Sequence, residues 1–252
     1  MEYTFLSKNV EVKKVSETET EGTFEIVNLY TGYGITLGNA LRRVLLSSLP
    51  GAAVTQIKIK GVKHEFSSAP NVLEDVVDIM MNIKKLRFRF FAQDAQTLTI
   101  KKKGDGPVTG ADIQKNPDVE VVNTDQHIAT ITTKTGEFEM EMTIEKGLGY
   151  ASAENRKTDK LPVGSIALDA IFTPVKNVNF IVENMRVGDR TDYNKLTMTI
   201  KTDGTISPSR VLHKAGNVLA DHLSIVSEVD INDFGIVHTE KKKEEKETKK
   251  KK

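Results

Sequence analysis

Alternation between apolar and polar residues is the feature that most constrains how this chain folds. It occurs in four separate stretches, residues 22–27, 54–59, 138–144 and 196–200. Successive side chains of a β-strand point to opposite faces, so each stretch can bury one face and leave the other in water. We therefore predict four strands, each of which packs one apolar face against a core.

Helical spacing of apolar residues marks three other segments, 36–49, 71–85 and 207–226. The last of them opens with Ser207 and Pro208, residue types that are favoured at a helix cap and at the first helical position. Helical segments thus lie between the strand segments along the chain. This order predicts a mixed α+β protein.

Three segments are too polar, or too rich in glycine and proline, to form regular elements, and we predict that they are loops or disordered. Residues 101–107 and 147–162 have the composition of loops. Residues 236–252 end in a run of lysine and glutamate, which buries too little apolar surface to order itself. We predict a disordered charged tail or a truncated linker there.

Charge and composition exclude several classes of protein. The net charge is +1, but residues 240–252 hold eight lysines against four glutamates, so the remainder is −3. A module that binds duplex DNA by itself usually has a strong basic excess. The charge of the folded part therefore argues against free-standing binding of DNA. The chain contains no cysteine, which excludes disulfides, thiolate metal sites and cysteine nucleophiles. No apolar run is long enough to cross a bilayer, so we expect a cytosolic protein without a membrane partner.

The motifs of enzyme chemistry are incomplete. Residues 32–38 have the order G-x-G-x-x-x-G, one residue longer than a dinucleotide fingerprint, with Leu37 in place of its third glycine. His213 and His222 are nine residues apart on one predicted helix. At about 100° per residue they lie on opposite sides and cannot bind one metal ion. We predict no catalytic residue, no cofactor and no metal.

The helix predicted at 36–49 has two distinct faces. Its apolar stripe consists of Leu37, Ala40, Leu41, Val44, Leu45 and Leu49. The opposite side carries Asn39, Arg42, Arg43 and Leu46 at spacings of three and four residues. This outer set is either an ordinary solvated face or a recognition patch, because arginine and apolar anchors are common energetic centres of interfaces. Spacing alone does not separate the two interpretations.

Several segments resemble a known family, the alpha subunit of bacterial RNA polymerase, in its amino-terminal dimerisation and assembly part. The resemblance is strongest at residues 34–51, GITLGNALRRVLLSSLPG. It continues in GVKHEF at 61–66, in LDAIFTPV at 168–175, and in 182–206. Order and spacing agree from about residue 10 to residue 225.

The resemblance implies a two-lobed α+β architecture. A dimerisation lobe of antiparallel sheet plus helices would comprise residues 1–52 and 176–235, and a mostly-β second lobe, 53–175, would be inserted between them. It implies a homodimeric scaffold for the beta and beta prime subunits in the bacterial cytosol or nucleoid. The nucleotidyltransferase chemistry of DNA-directed RNA polymerase would lie on those partners, and DNA would be met only through the holoenzyme. A free-standing dimeric nucleic-acid-binding protein is the alternative.

Three sets of site residues follow from the resemblance. Docking of the beta subunit is expected at Asn39, Arg42, Arg43 and Leu46. Second-lobe contacts to the large subunits are expected at His64, Lys84, Phe172 and Val175. The dimer interface is expected at Leu37, Leu41, Val44, Leu45, Leu219 and Leu223.

Overall fold

The computed structural model describes residues 9–156, Pro162 and 164–229, so the charged tail predicted at 236–252 lies outside the described residues. Within the described part, the strands are β1 Glu11–Glu17, β2 Glu21–Leu29, β3 Pro50–Ile59, β4 Phe88–Phe90, β5 Gln96–Lys103, β6 Gly106–Thr109, β7 Val119–Val121, β8 His127–Ile131, β9 Glu137–Leu148, β10 Tyr150–Ala151, β11 Ile166–Ala167, β12 Ala170–Ile171, β13 Val175–Val187 and β14 Arg190–Thr202. The α-helices are α1 Tyr33–Ser47, α2 Val76–Ile83, α3 Ala153–Arg156 and α4 Pro208–Ser227, and a short 3-10 helix spans Gly110–Asp112. The α+β class is confirmed.

Two antiparallel four-stranded sheets organise the described residues. One has the order β1-β2-β14-β13, and the other has the order β11-β3-β9-β5. Three two-stranded pairs, β10 with β12, β4 with β7 and β6 with β8, complete the strands. The four predicted strands are confirmed as parts of β2, β3, β9 and β14.

The buried side chains form two separate clusters. The terminal core is drawn from residues 24–49 and 175–215, near both ends of the described chain. The central core is drawn from the intervening residues 54–168. This separation supports the predicted division into a discontinuous lobe and an inserted lobe, which stays a prediction.

The helix boundaries depend on contacts that periodicity does not show. Helix α4 agrees with its predicted span within one residue at each end. Helix α1 begins three residues earlier than predicted, at Tyr33. Helix α2 begins only at Val76, so the predicted start at residue 71 is wrong. Asn71 has a φ of 60°, a left-handed conformation that does not continue a right-handed helix.

Both segments predicted as internal loops contain regular structure. Residues 101–103 complete β5 and Gly106 begins β6, so only a tight turn at Gly104, with a φ of 89°, remains. Gly147 lies inside β9, and a Cβ there would be 2.6 Å from the ring of Phe172. That glycine serves close packing rather than a turn, because the ring lies where any side chain would start. The loop predictions were therefore wrong over most of their described length.

Candidate docking face on helix α1

Two glycines let helix α1 lie very close to the sheet beneath it. A Cβ at Gly34 would lie 2.6 Å from the Cγ1 of Val182, and a Cβ at Gly38 would lie 2.8 Å from the ring of Phe180. Both contacted residues belong to β13. Since the glycines are four residues apart, they fall on the same side of the helix. The position of α1 on the sheet is therefore fixed by close packing along one line.

The amino terminus of α1 is capped from a distant strand. Its cap position, Gly32, has a φ of 87° and supplies no side-chain hydrogen bond. The Oδ1 of Asn194, on β14, accepts hydrogen bonds from the backbone N–H of Gly32 at 2.9 Å and of Gly34 at 3.4 Å. The Nδ2 of Asn194 in turn donates to the Oδ1 of Asn184 at 3.2 Å. These bonds satisfy backbone donors at the start of α1, and Gly34, one of the two, is a buried residue.

The two faces of α1 predicted from the sequence differ clearly in burial. Leu41 and Leu45 are 5% and 0% exposed and belong to the terminal core. The outer face of α1 consists of four exposed residues, Asn39, Arg42, Arg43 and Leu46. No ion pair joins the guanidinium group of Arg42 or Arg43 to any residue that the structure describes. The outer face thus presents two cations and a leucine to solvent.

Exposed apolar side chains continue from the carboxyl end of α1. Leu148 and Tyr150 are 59% and 63% exposed, and Ile171, the register partner of Tyr150, is 48% exposed. Between the first two lies Gly149, where a Cβ would be 3.6 Å from the carbonyl oxygen of Ser47. We call Leu148, Tyr150 and Ile171 the apolar extension. Sequence reasoning missed it because two of its members fall in the segment predicted to be a loop.

The residues expected to contact large subunits from the second lobe lie in different environments. His64 is exposed, and its carbonyl oxygen accepts a hydrogen bond from the Ser67 hydroxyl at 2.7 Å. Lys84 pairs with Asp169 at 3.2 Å. The backbone N–H of Ala153 donates to the same carboxylate, and these two contacts hold the pKa of Asp169 below its usual value. The ammonium group of Lys84 is therefore already engaged by a carboxylate of the same chain.

Two residues of that set have little surface to offer. Phe172 and Val175 are 4% and 2% exposed. Phe172 packs over Gly147, and Val175 belongs to the terminal core. Their side chains are used in packing within the chain itself. Of the four expected contacts, only His64 and Lys84 present side chains that a partner can reach.

The residues expected at the dimer interface also differ in how far they are exposed. Leu41 and Leu45 lie inside the terminal core, where a second protomer could reach little of either side chain. Leu37, Val44 and Leu219 are half-buried. Leu223 is 65% exposed. Towards the end of α4 and just beyond it, three more apolar residues are exposed: Ile225, Val226 and Val229. The exposed apolar surface among these residues therefore lies mainly on this part of α4.

No group of three or more His, Cys, Asp or Glu side chains in the described ranges is placed to hold a metal ion. None of the described helices has the length and apolar content needed to span a membrane.

The fold is that of an α+β protein in which a helix packed closely on its sheet exposes two arginines and a leucine, and neither arginine has an ion pair with a described residue. Comparison with known proteins identifies the family. Residues 57–173 match the model of the RNA polymerase Rpb3/RpoA insert domain. The chain is 47% identical over 240 residues to the DNA-directed RNA polymerase subunit alpha of Alkaliphilus metalliredigens, a match that covers 94% of this chain and 76% of the relative.

Two further relatives give the same result. The DNA-directed RNA polymerase subunit alpha of Oceanobacillus iheyensis is 45% identical over 239 residues, and that of Clostridium botulinum is 47% identical over 240 residues. Each match covers 94% of this chain and 76% of the relative. The chain therefore belongs to the family of bacterial DNA-directed RNA polymerase alpha subunits, and it spans about three quarters of the length of these relatives.

Proposed function

We propose that the chain is the homodimeric assembly scaffold of a bacterial DNA-directed RNA polymerase. In this role it supplies no catalytic residue and no cofactor, and the nucleotidyltransferase chemistry lies on the beta and beta prime subunits. The outer face of α1 docks the beta subunit, and DNA is met only through the assembled enzyme. The observation that carries the proposal is the exposed set Asn39, Arg42, Arg43 and Leu46 on a helix fixed to its sheet.

The placement of α1 favours tight docking. The cap from Asn194 and the close packing at Gly34 and Gly38 hold the helix in one position on the sheet. A partner that binds a prearranged face loses little conformational entropy from this side. Arginine is suited to such a face because its planar guanidinium group can donate two hydrogen bonds to one carboxylate. The apolar extension, whose neighbour Gly149 lies near the carbonyl oxygen of Ser47 at the end of α1, offers further exposed apolar area.

The loss of binding free energy expected on truncating an arginine of the outer face depends on whether that arginine is desolvated in the complex. Removing one member of a desolvated charge pair costs about 2–5 kcal/mol, and much of that loss comes from the buried partner that is left alone. The same change on a wet rim costs far less, about 0.2–1 kcal/mol. Truncation of Arg43 therefore reports whether that guanidinium group is enclosed in the complex.

The test is capture of the beta subunit by purified variants of the whole chain. Arg43→Ala and Leu46→Ala, singly and together, should leave a folded dimer with a near-wild-type melting temperature. The core contacts of α1 lie on its other face, so folding is preserved while capture in a pull-down is lost. The matched controls Arg186→Ala and Val12→Ala change exposed residues outside α1 and should capture beta normally.

Normal capture by the double variant would contradict docking at this face. Loss of the fold or of the dimer in the same variant would instead show that the outer face of α1 is structural.

A further inference from the structure

A cleft of about 640 Å³ lies between the two cores, within the compact unit that ends at Leu219. The central core contributes β4, with its neighbour Phe91, and Lys146 of β9. The other wall is formed by residues 204–207 and the first turns of α4. None of these side chains belongs to the outer face of α1 or to its apolar extension. The cleft is therefore a second surface, which the docking of beta at α1 does not use.

The cleft is rich in cations that lack a partner in the described part of the chain. Lys146, Arg210 and Lys214 line it and are exposed, and no ion pair joins them to a described residue. Arg210 and Lys214 are four residues apart, on one side of α4. The cations therefore come from both walls of the cleft, in a protein whose net charge without residues 240–252 is −3.

A fourth cation, Arg89, is already engaged. Its guanidinium group lies 3.3 Å from the Glu120 carboxylate and donates to the carbonyl oxygens of Gly204 and Thr205. These bonds span the two walls and hold them together at one end. Glu19 is the other acid of the lining. Once Arg89 is paired with Glu120, three cations remain against Glu19, so the lining keeps a net positive charge. It is therefore complementary to an acidic ligand.

The lining also has an apolar component. Phe91 lines the cleft and is 67% exposed, so its ring is open to a ligand there. Phe90 and Ile206 line the cleft beside it. Simple inorganic anions make no use of such groups. Cations beside an exposed ring fit a ligand that has both carboxylates and apolar side chains.

The amino terminus of α4 is not available to an anion. The backbone N–H of Ser209 donates to the Glu17 carboxylate at 2.8 Å, so a carboxylate of the protein itself already occupies that position. A ligand in the cleft would therefore meet side chains spread over two walls rather than a cradle of backbone amides. Spread cations match charges repeated along an extended chain better than the concentrated charge of one phosphate group.

We propose that this cleft docks an extended acidic segment of a partner protein, with glutamate or aspartate set against Lys146, Arg210 and Lys214 and an apolar side chain set against Phe91. The segment binds beside the junction of the two cores. This role is additional to docking at α1, because it uses other residues and a different kind of ligand.

The test uses the whole purified chain and fluorescein-labelled synthetic peptides in which glutamate alternates with phenylalanine and leucine. Anisotropy titration should show saturable binding. The triple variant Lys146→Ala, Arg210→Ala, Lys214→Ala should weaken it about tenfold, since several modest charge contacts are lost together. Phe91→Ala should weaken binding as well, and a peptide with glutamine in place of glutamate should bind more weakly than the acidic peptide.

The controls separate the cleft from general charge attraction. The triple variant Lys13→Ala, Lys58→Ala, Lys115→Ala removes the same charge at exposed positions outside the lining and should bind the acidic peptide like the wild type. Equal affinity in the wild-type and cleft variants would overturn the proposal. Preference for a single-stranded oligonucleotide over the peptide, lost in the cleft variant, would overturn it in favour of nucleic acid. Neither result bears on the proposed docking of beta at Arg43 and Leu46.

Discussion

Glu17 joins parts of the chain that are far apart in sequence. It ends β1, and its carboxylate accepts hydrogen bonds from the hydroxyl and the backbone N–H of Ser209, in the first turn of α4. These bonds, with a smaller contribution from Lys14, lower the pKa of Glu17 from 4.5 to about 2. A carboxylate at a helix amino terminus also interacts favourably with the helix dipole. One side chain thus caps α4 and attaches it to the sheet.

The depressed pKa of Glu17 predicts a pH dependence of stability. Because the pKa of Glu17 is lowered in the folded state, its carboxylate contributes fully to stability when the pH is above the ordinary pKa near 4.5. This contribution is lost as the pH falls towards 2. Glu17→Gln should lower the free energy of unfolding at pH 7 by about 1 kcal/mol, since a charged acceptor is replaced by a neutral one. Urea unfolding of both proteins should show this difference shrinking between about pH 4.5 and pH 2. A difference that stays constant over that range would contradict the role of Glu17.

At the scale of residues, the sequence predicts which side chains of α1 face outwards but not what fixes the helix. The spacing of Arg42, Arg43 and Leu46 places them correctly on the exposed side, because 3.6 residues per turn suffices for that inference. The caps supplied by Asn194 and Glu17 come from 160 or more residues away. No local pattern points to such partners. Only the approach of β14 and β1 to the two helices brings them into place.

At the scale of elements, the two long helices contain glycines with opposite surroundings. Gly38 of α1 is buried against Phe180 and Leu196, to which a Cβ would come within 2.8 Å and 3.1 Å. Gly216 of α4 is exposed, and a Cβ there would meet nothing within 4 Å. The first glycine is required by packing. The second only lowers the intrinsic stability of its helix.

Alanine substitution at these two glycines should have opposite effects. Gly38→Ala should lower the free energy of unfolding by about 1–3 kcal/mol, because the gain in helix propensity is smaller than the cost of overpacking beneath α1. Gly216→Ala should raise it by about 0.5–1 kcal/mol. Denaturant titrations of the two variants measure both changes. Stabilisation by Gly38→Ala would show that α1 can move away from its sheet at little cost.

Element type followed from the sequence more readily than element boundaries. Strict alternation identified β2, β3, β9 and β14, since a strand with one buried face needs that pattern. Glycine was a poor guide to loops. Gly104 does mark a turn, but Gly147 lies within a strand beneath an aromatic ring. Composition alone cannot separate a glycine needed for its backbone conformation from one needed for its missing side chain.

At the scale of the whole molecule, the exposed apolar residues of α4 predict a dimer. Leu219 and Leu223 are four residues apart on that helix, and Leu223 is 65% exposed. Light scattering at micromolar concentration should give about twice the chain mass of 28.0 kDa. Leu223→Glu should give a folded monomer, because a charge in an apolar interface is not compensated. Val12→Glu, at an equally exposed apolar residue of β1, should remain dimeric. A monomeric wild type would count heavily against the scaffold.

The discontinuous arrangement of the cores was not derivable from periodicity. Helical and alternating patterns describe neighbours along the chain, whereas the terminal core joins residues 24–49 to 175–215. The resemblance of segments such as 34–51 to a known family supplied that arrangement. The cleft between the cores was not anticipated at all, because its cations come from segments that look like ordinary solvated surface.

The same arrangement determines when the outer face of α1 can form during synthesis of the chain. Every buried residue of the central core has been made by residue 168, so that part can fold while β14 is still unmade. Helix α1 must wait, since β14 pairs with β2 and supplies the Asn194 cap only after residue 194 emerges. A chain released early therefore has no ordered outer face to offer. The proposed docking at Arg43 and Leu46 would therefore require a chain in which β14 has already been made.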